Sequence, residues 1–449
     1  MTLLNGLIRG GSRLKSECAI DTALISEFAE YNPIVWKKYG LIFVDSAYGK
    51  SKGGIKGPKD HLKSCMNENF DERYLTLFGG VDLYGLRVSK CDIQGIRFAT
   101  DNDGLAIIEQ VKKLMEYKFG SGYLKEILSF AGKVDQYDID PTEYISKAEH
   151  DNEILTRDYD IHDYQGWINT VDVGVTDSGK DSISYFSILR KIIANTDSIS
   201  KEYINEESLI SNRQMNTGNL STDYKVSEID KLIFKQYLFD FLSSYLFYRE
   251  GSKLSYQSEY LIFGKSSDIQ NLELSAKRIM FIRLAADILS LLSDHERMEK
   301  IEGIGKIIGV LLGAPEIEGL ITTVIVAGWS YLEAVADTKV LFSGKKVPFM
   351  KGHDEWITGL SGIFSGKDSY DDMEGMSYRD YIRVFIFLSK QQTLMERFMN
   401  LIESDVRKES GYEAFRLDNC FDYIEAEVEV TSKRGFSFEM KRRRGISHD

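Results

Sequence analysis

The chain has 449 residues, of which 43% are hydrophobic and 12% aromatic, and it carries a formal net charge of −13. This composition excludes a disordered chain and provides enough apolar residues for one large core or for two to three domains. The acidic balance argues against nucleic acid and anionic lipid as partners. The four cysteines lie at no metal-binding spacing, and we expect no metal site. We also expect no cofactor.

The first predicted element is an amphipathic helix over residues 12–31. Apolar residues recur on one face of it at helical spacing, and we expect that face to pack against strands. These residues are Leu14, Cys18, Ile25, Phe28 and Ala29. The pair Asn32-Pro33 interrupts this helix. The segment VWKKYGLIFVDSAYG (35–49) then predicts a short helical turn, a stop at Gly40 and a strand.

The middle of the chain changes character twice. Residues 74–100 have the composition of strands, and residues 105–117 and 123–130 are predicted to be helical. Between 135 and 224 the sequence turns polar, acidic and tyrosine-rich, which indicates a loop-rich region around one helix over 182–194.

A helical block follows from 225 to 408. The helix over 269–292 is apolar on several sides, which predicts that it is buried. Ser293 and Glu296 have the spacing of a capping box at the start of the next helix. The segment GLITTVIVAGWS (319–330) is too short to span a membrane, because a proline and two glutamates precede it, and we interpret it as a buried core helix.

The end of the chain has the pattern of a β-hairpin. YIEAEVEV (423–430) alternates apolar residues with glutamates, TSKRG forms a turn, and FSFEM (436–440) alternates again. A lone hairpin is unstable in water, so we expect it to pair with the strands near 74–100. The predicted fold class is therefore α+β: an N-terminal helix plus an antiparallel sheet closed by a C-terminal hairpin, with a large helical block inserted.

These elements suggest four regions. We expect a helix with strands at 1–134 and a polar, loop-rich region at 135–224. A helical domain at 225–408 follows, and then a β-hairpin at 409–449 that pairs with the N-terminal sheet.

Two short motifs resemble functional signatures without completing them. In GVTDSGKDS, Gly174, Gly179 and Lys180 have phosphate-loop spacing, but Asp181 stands where a Mg²⁺-binding hydroxyl is needed. We interpret this motif as a polar turn. HDNEILTRDYDIHDY (150–164) offers histidines and carboxylates but no zinc-helix spacing, and we interpret it as an acidic surface loop.

Several segments together resemble a family of large uncharacterised proteins from Gram-positive anaerobes, which are encoded beside tight-adherence (Tad) pilus and type II secretion-like genes. The resemblance covers most of the chain and is weakest near 135–223. It rests on EFAEYNPIVWKKYGLIFVDSAYG (27–49), SEYLIFGKSSDIQNL (258–272), GWSYLEAVADTKVLFSGKKVPFMKGHDEW (328–356), SYRDYIRVFIFL (377–388) and ERFMNLIESDVR (396–407).

The resemblance implies a pilin-like architecture. In that family a TadE-like or pseudopilin-like membrane helix leads directly into the segment that here reads EFAEYN. We interpret Met1–Ile8 as its last two turns and expect a single upstream anchor in the native protein, with the body outside the cytoplasm. The pilin-like helix and strands would then occupy residues 1–134.

The family implies no catalytic or cofactor-binding residues. Seven residues match its pattern, and we expect them to have a structural role: Trp329, Glu333, Asp337, Gly344, Lys345, Pro348 and Trp356. Glu333 and Asp337 share a helix face, and we hypothesise that they fix the GKKVP loop through Lys345 or Lys346.

The leading functional expectation is a non-enzymatic, membrane-anchored surface component of a Tad-type pilus or secretion system. It would be a minor subunit, an assembly factor or a tip, with other subunits as partners. One alternative is an intracellular enzyme that uses the acidic 150–181 region with a metal or a nucleotide. A second is an extracellular module that binds a carbohydrate or protein through the tyrosine-rich 135–167 stretch.

Overall fold

Helices and one main antiparallel sheet make up the computed structural model of the protein, which describes residues 2–50, 53–70, 84–137, 186–193, 195–205, 209–220, 225–359 and 374–446. The helices are α1 (Thr2–Ala29), α2 (Pro33–Tyr39), α3 (Lys56–Phe70), α4 (Asp101–Ala131), α5 (Phe186–Ile192), α6 (Glu228–Phe241), α7 (Gln257–Phe263), α8 (Asp268–Ser293), α9 (His295–Leu311), α10 (Glu318–Phe342), α11 (Tyr378–Leu388) and α12 (Gln391–Arg407). The strands are β1 (Val44–Asp45), β2 (Leu86–Phe98), β3 (Lys346–Val347), β4 (Met376–Ser377), β5 (Cys420–Ser432) and β6 (Ser437–Gly445).

The chain divides into two compact units, each assembled from segments that are far apart in the sequence. The first comprises Met1–Leu128, Ile204–Phe241 and Lys390–Asp449, and the second comprises Ser129–Tyr203 and Leu242–Ser389. The four-region division made from the sequence stays a prediction. The phosphate-loop-like and histidine-rich motifs, and most of the tyrosine-rich stretch, lie outside the described residues.

Strand β5 is the centre of the main sheet in the first unit. It pairs antiparallel with β2, from Leu86 opposite Ser432 to Phe98 opposite Phe421, and it also pairs with β6 and β1. The apolar side chains of its alternating stretch are buried, while the glutamates between them are partly exposed. The predicted α+β fold, with the C-terminal hairpin in an antiparallel sheet, is confirmed.

Helices α1 and α3 supply the other half of this core. Ile20 and Leu24 of α1 and Leu62 of α3 pack with Ile424 and Val428 of the sheet. All of these side chains are almost fully removed from water, which stabilises the packing of α1 and α3 on the sheet.

The packed face of α1 is mostly not the one predicted: of the five predicted residues, Phe28 packs against the core, with its ring 5.8 Å from that of Phe421. Leu14 is 63% exposed and Ile25 is 52% exposed. The side that contacts the core carries Ile20 and Ala23, with two buried serines toward its N-terminal end. The prediction was wrong because α1 has apolar residues on two opposite faces, and the face with small residues approaches the sheet.

The end of α1 and the start of α2 follow the sequence signals. The Asn32 side chain accepts hydrogen bonds from the backbone N–H groups of Ile34 (3.0 Å) and Val35 (3.1 Å), which caps α2. Pro33 occupies the first turn, and Gly40 ends the helix with a left-handed φ of 67°. The predicted interruption and the predicted stop are both confirmed.

Helix α8 is the centre of the second unit. It packs against α7 and α10 and is buried along most of its length, as predicted. The capping box predicted with Ser293 is wrong, because Ser293 is the last residue of α8. Asp294 caps α9 instead, and its side chain accepts a hydrogen bond from the Arg297 N–H at 3.1 Å.

The apolar segment 319–330 is not a buried core helix. It belongs to a helical stretch, Pro315–Phe342, that is long and apolar enough to cross a membrane, yet only 22% of its most apolar window is buried. Val324 on α10, and Ile307 and Leu311 on α9, are more than half exposed. The prediction failed because only one side of α10 packs, although apolar residues occur all round it.

Candidate functional site

A buried network of charges in the second unit collects the carboxylates predicted on α10. Glu333 and Asp337 lie one helical turn apart, and neither side chain is exposed. Lys351 forms ion pairs with both, and its Nζ atom lies 2.6 Å from Asp337 Oδ1. Lys351 therefore bridges the two carboxylates from the loop that follows β3.

Arg283 of α8 joins the same network. Its Nε atom donates to Asp337 at 2.8 Å, and its Nη2 atom donates to Asp287 at 2.8 Å. Its Nη1 atom donates to the backbone carbonyls of Pro348 and Phe349, both at 2.8 Å. Burial alone would lower the pKa of Arg283, but the carboxylates of Asp287 and Asp337 hold that pKa well above its ordinary value.

The charges of the network balance if Asp287 is neutral. Three carboxylates face the two cations Arg283 and Lys351. Burial raises the pKa of Asp287 well above its ordinary value, and its Oδ2 atom has no hydrogen-bond partner among the described residues. A protonated Asp287 leaves two cations opposite two carboxylates, which avoids an uncompensated buried charge.

Glu333 also fixes the chain near residue 358. Its Oε1 atom accepts from the Ile357 N–H, and its Oε2 atom accepts from the Thr358 N–H, both at 2.7 Å. Trp329 Nε1 donates to the Thr358 hydroxyl at 2.9 Å. The Trp329 and Trp356 rings lie 5.1 Å apart, so the loop is held by polar and aromatic contacts together.

The structure brings five of the seven predicted residues into this network: Trp329, Glu333, Asp337, Pro348 and Trp356. Gly344, with a φ of 89°, and the exposed Lys345 lie in the turn after α10. The lysine that the structure gives to Glu333 and Asp337 is Lys351, so the expectation for Lys345 or Lys346 is corrected.

Sequence reasoning missed Arg283, Asp287 and Lys351. Arg283 and Asp287 are spaced i, i+4 on a helix, which is a usable signal, but nothing in the sequence indicates a partner on α10 54 residues away. The side chains of Arg283, Asp287 and Lys351 are 0% exposed. A substrate in solution therefore does not reach them, and the geometry supports a structural role.

A different site in the first unit is open to solvent. A pocket of about 470 Å³ lies among the end of α1, the turn after β1 and the loop that follows α12. Its lining combines aromatic rings with short polar side chains, among them Glu30, Tyr31, Asp45, Tyr48, Tyr412 and Phe415.

Tyr48 is held in this pocket by a small polar network. Its hydroxyl donates to Glu27, which is fully buried, and its ring stacks on His61 with 4.8 Å between centroids. His61 contacts Glu27 through Nδ1 at 2.6 Å and Glu30 through Nε2 at 3.3 Å. Burial raises the pKa of Glu27, although its bonds to Tyr48 and His61 oppose the shift. Glu27 therefore positions Tyr48 and His61.

The described residues contain no group of three or more histidine, cysteine or acidic side chains that could hold a metal ion.

The comparisons with known proteins give one match. A family model described as a family of unknown function, DUF5702, matches residues 179–432, which is more than half of the chain. The chain belongs to the DUF5702 family. No curated protein and no solved structure matches it at a significant level.

The DUF5702 match covers the buried network completely, from Arg283 to Thr358, and also includes β5. Glu27 and Tyr48 precede the matched residues, whereas Tyr412 and Phe415 lie within them. The expectation of an uncharacterised family is thereby confirmed.

Proposed function

We propose that the protein is a non-enzymatic component of a Tad-type pilus or secretion system and that it acts by packing against other subunits. The observation that carries the proposal is the second apolar face of α1. Leu4, Leu7, Leu14 and Ile25 are each at least half exposed, and their successive spacings of 3, 7 and 11 residues keep them on one side of the helix. This is the spacing at which one helix presents a continuous line of apolar side chains to another.

The two faces of α1 have different partners in this proposal. The side with Ile20 and Ala23 is occupied by the sheet of the same chain. The side with Leu14 and Ile25 remains in water, where apolar side chains gain free energy by binding a partner surface. A subunit that assembles through one helix while a sheet supports that helix from behind needs this arrangement.

The proposal includes a membrane anchor that precedes α1 and a body outside the cytoplasm. Mass spectrometry of the native protein in membrane and soluble fractions of the source cell tests both parts. We expect native peptides that extend into an apolar segment, found in the membrane fraction. A native protein that begins at Met1 and is found only in the soluble fraction would contradict the anchor.

The assembly role is tested by placing a charge on the exposed face. The variant is Leu14→Asp, and the matched control is Leu128→Asp, which changes another partly exposed leucine of the same unit. We expect Leu14→Asp to reduce the amount of surface fibre sheared from cells, with an unchanged thermal melt of the purified chain. Normal fibres with Leu14→Asp and Ile25→Asp combined would contradict the assembly role.

A further inference from the structure

The pocket in the first unit has the size and composition of a small-ligand site. Its volume of about 470 Å³ falls in the range that such sites occupy. Its walls come from three separate parts of the chain, represented by Tyr31, Tyr48 and Tyr412. The Tyr31 ring packs edge-on against Trp36 with 6.3 Å between centroids, and Phe415 is buried, so part of the wall is supported from behind.

The backbone at Tyr48 gives an independent reason to regard the pocket as built. Tyr48 has a φ of 47°, in the left-handed region that bulky residues seldom adopt. The buried Glu27 carboxylate and the stacked His61 ring hold the side chain in place against this strain. Residues kept in such conformations cluster at ligand sites, because the surrounding structure must stabilise them there.

The charges around the pocket favour a ligand without net charge. Glu30 disfavours an anion, and the nearby Lys50 disfavours a cation. Asp45 is already engaged, because its Oδ1 atom accepts from the Ala47 N–H at 2.9 Å and burial raises its pKa. What the walls offer is flat aromatic surface together with hydrogen-bonding groups.

We infer that this pocket binds a neutral saccharide unit. The C–H faces of a pyranose ring stack on tyrosine rings, and its hydroxyl groups act as donors to carboxylate oxygens and as acceptors for N–H and O–H groups. We assign Tyr412 as the stacking residue because it lines the pocket and is partly exposed in the loop after α12, and Glu30 as the carboxylate because its side chain is 49% exposed. The inference is independent of the assembly role proposed for α1.

The test uses the purified full chain and a defined panel of sugars. The probes are methyl glycosides of glucose, galactose, mannose and N-acetylglucosamine, with lysine methyl ester as a cationic probe. Saturation-transfer NMR and isothermal calorimetry measure binding. We expect at least one sugar to bind saturably, and we expect Tyr412→Ala to raise its Kd by about tenfold or more.

Two further variants make the outcome specific. Tyr117→Ala changes a tyrosine that is almost fully exposed and lies outside the pocket, and we expect it to leave the Kd unchanged. Glu30→Gln keeps one acceptor but removes the charge, so we expect it to reduce sugar affinity much less than Tyr412→Ala does, whereas it would strongly reduce the affinity for a cation. A thermal melt of Tyr412→Ala that matches the parent shows that lost binding is not lost folding.

Three results would overturn the inference. One is the absence of saturable binding by every sugar in the panel. Another is a sugar Kd that Tyr412→Ala does not change. The third is saturable binding of lysine methyl ester alone, which would identify the pocket as a site for amines.

Discussion

Lys351 is the residue on which the buried network depends most. Its ammonium group is paired with Glu333 and Asp337 and has no exposed surface. Replacing it with methionine leaves two buried carboxylates short of a cation, which typically costs about 3–5 kcal/mol. We expect Lys351→Met to lower the free energy of unfolding by that amount in urea titrations followed by tryptophan fluorescence, to which the nearby Trp329 and Trp356 contribute.

Lys345 provides the matched control for this change. It is exposed in the turn after α10, and exposed substitutions usually change stability by less than about 0.5 kcal/mol. In double-mutant cycles with Glu333→Gln, Lys351→Met should be non-additive and Lys345→Met additive. Equal costs for the two lysine variants would contradict the role given to Lys351.

Glu259 gives the second unit a predictable response to pH. Its Oε1 atom accepts from the Tyr245 N–H at 2.9 Å and from the Tyr378 hydroxyl at 2.6 Å, and Oε2 has no partner in the described structure. Burial raises its pKa from 4.5 to about 7. Because the folded pKa lies above the unfolded one, the associated stability is fully present below pH 4.5 and is lost as the pH rises toward 7.

The pKa shift of Glu259 corresponds to a difference of about 3 kcal/mol in the free energy of unfolding between low pH, where the carboxyl is protonated, and high pH, where it is ionised. Glutamine keeps the Oε1 acceptor and cannot ionise, so Glu259→Gln should reduce the loss of stability between about pH 5 and about pH 8 by most of that amount. Urea titrations at both values measure it, with the exposed Glu316→Gln as control. An unchanged pH dependence in Glu259→Gln would show that Glu259 ionises normally.

At the scale of the element, helix α1 has one face that packs in the core and an opposite face that is exposed to water. Ile20 has no exposed surface in the core, whereas Leu14 is 63% exposed on the other side. We expect Ile20→Ala to cost about 2–5 kcal/mol and Leu14→Ala less than about 1 kcal/mol in denaturant titrations. A larger cost for Leu14→Ala would restore the face that the sequence predicted.

The elements differ in how far the sequence predicts them. The alternation over 423–430 identifies both the strand and its buried face, because a period of two leaves one arrangement that hides the apolar side. The Asn32-Pro33 pair and Gly40 locate helix ends through local chemistry. For α1 and for 319–330 the helix was predictable but the buried side was not, since apolar residues occur on more than one face.

The residues of the candidate site were even harder to predict from the sequence, because their partners are distant in the chain. Glu333 and Asp337 were identifiable as a pair, but the cations that neutralise them come from positions fixed only by tertiary packing. The pocket around Tyr48 gave no local signal, because its walls include Tyr31 and Tyr412, which lie far apart in the chain. Arg97 and Asp422, joined by two buried hydrogen bonds, are 325 residues apart, and composition gives no indication of that contact.

At the scale of the whole molecule, the first unit depends on strands β5 and β6, which are synthesised long after α1 and α3. β5 lies between β2 and β6 in the sheet, and Phe421, Ile424 and Val428 are part of the core beneath α1 and α3. A core that lacks its central strand exposes apolar surface on every neighbouring element. The N-terminal segment is therefore not expected to become stable until the C-terminal hairpin joins it.

Truncation tests this dependence directly. A chain that ends after Lys408 lacks β5 and β6, and we expect limited proteolysis to degrade its α1, α3 and β2, which the full chain protects. A control chain that ends after Ile446 keeps both strands and should resist cleavage as the full chain does. Proteolysis follows the population of open states, so the comparison reports the stability of the first unit. If the shorter chain protects α1 and β2 equally well, the sheet does not need its central strand, and the packing of Ile20 against Ile424 and Val428 cannot be what stabilises α1.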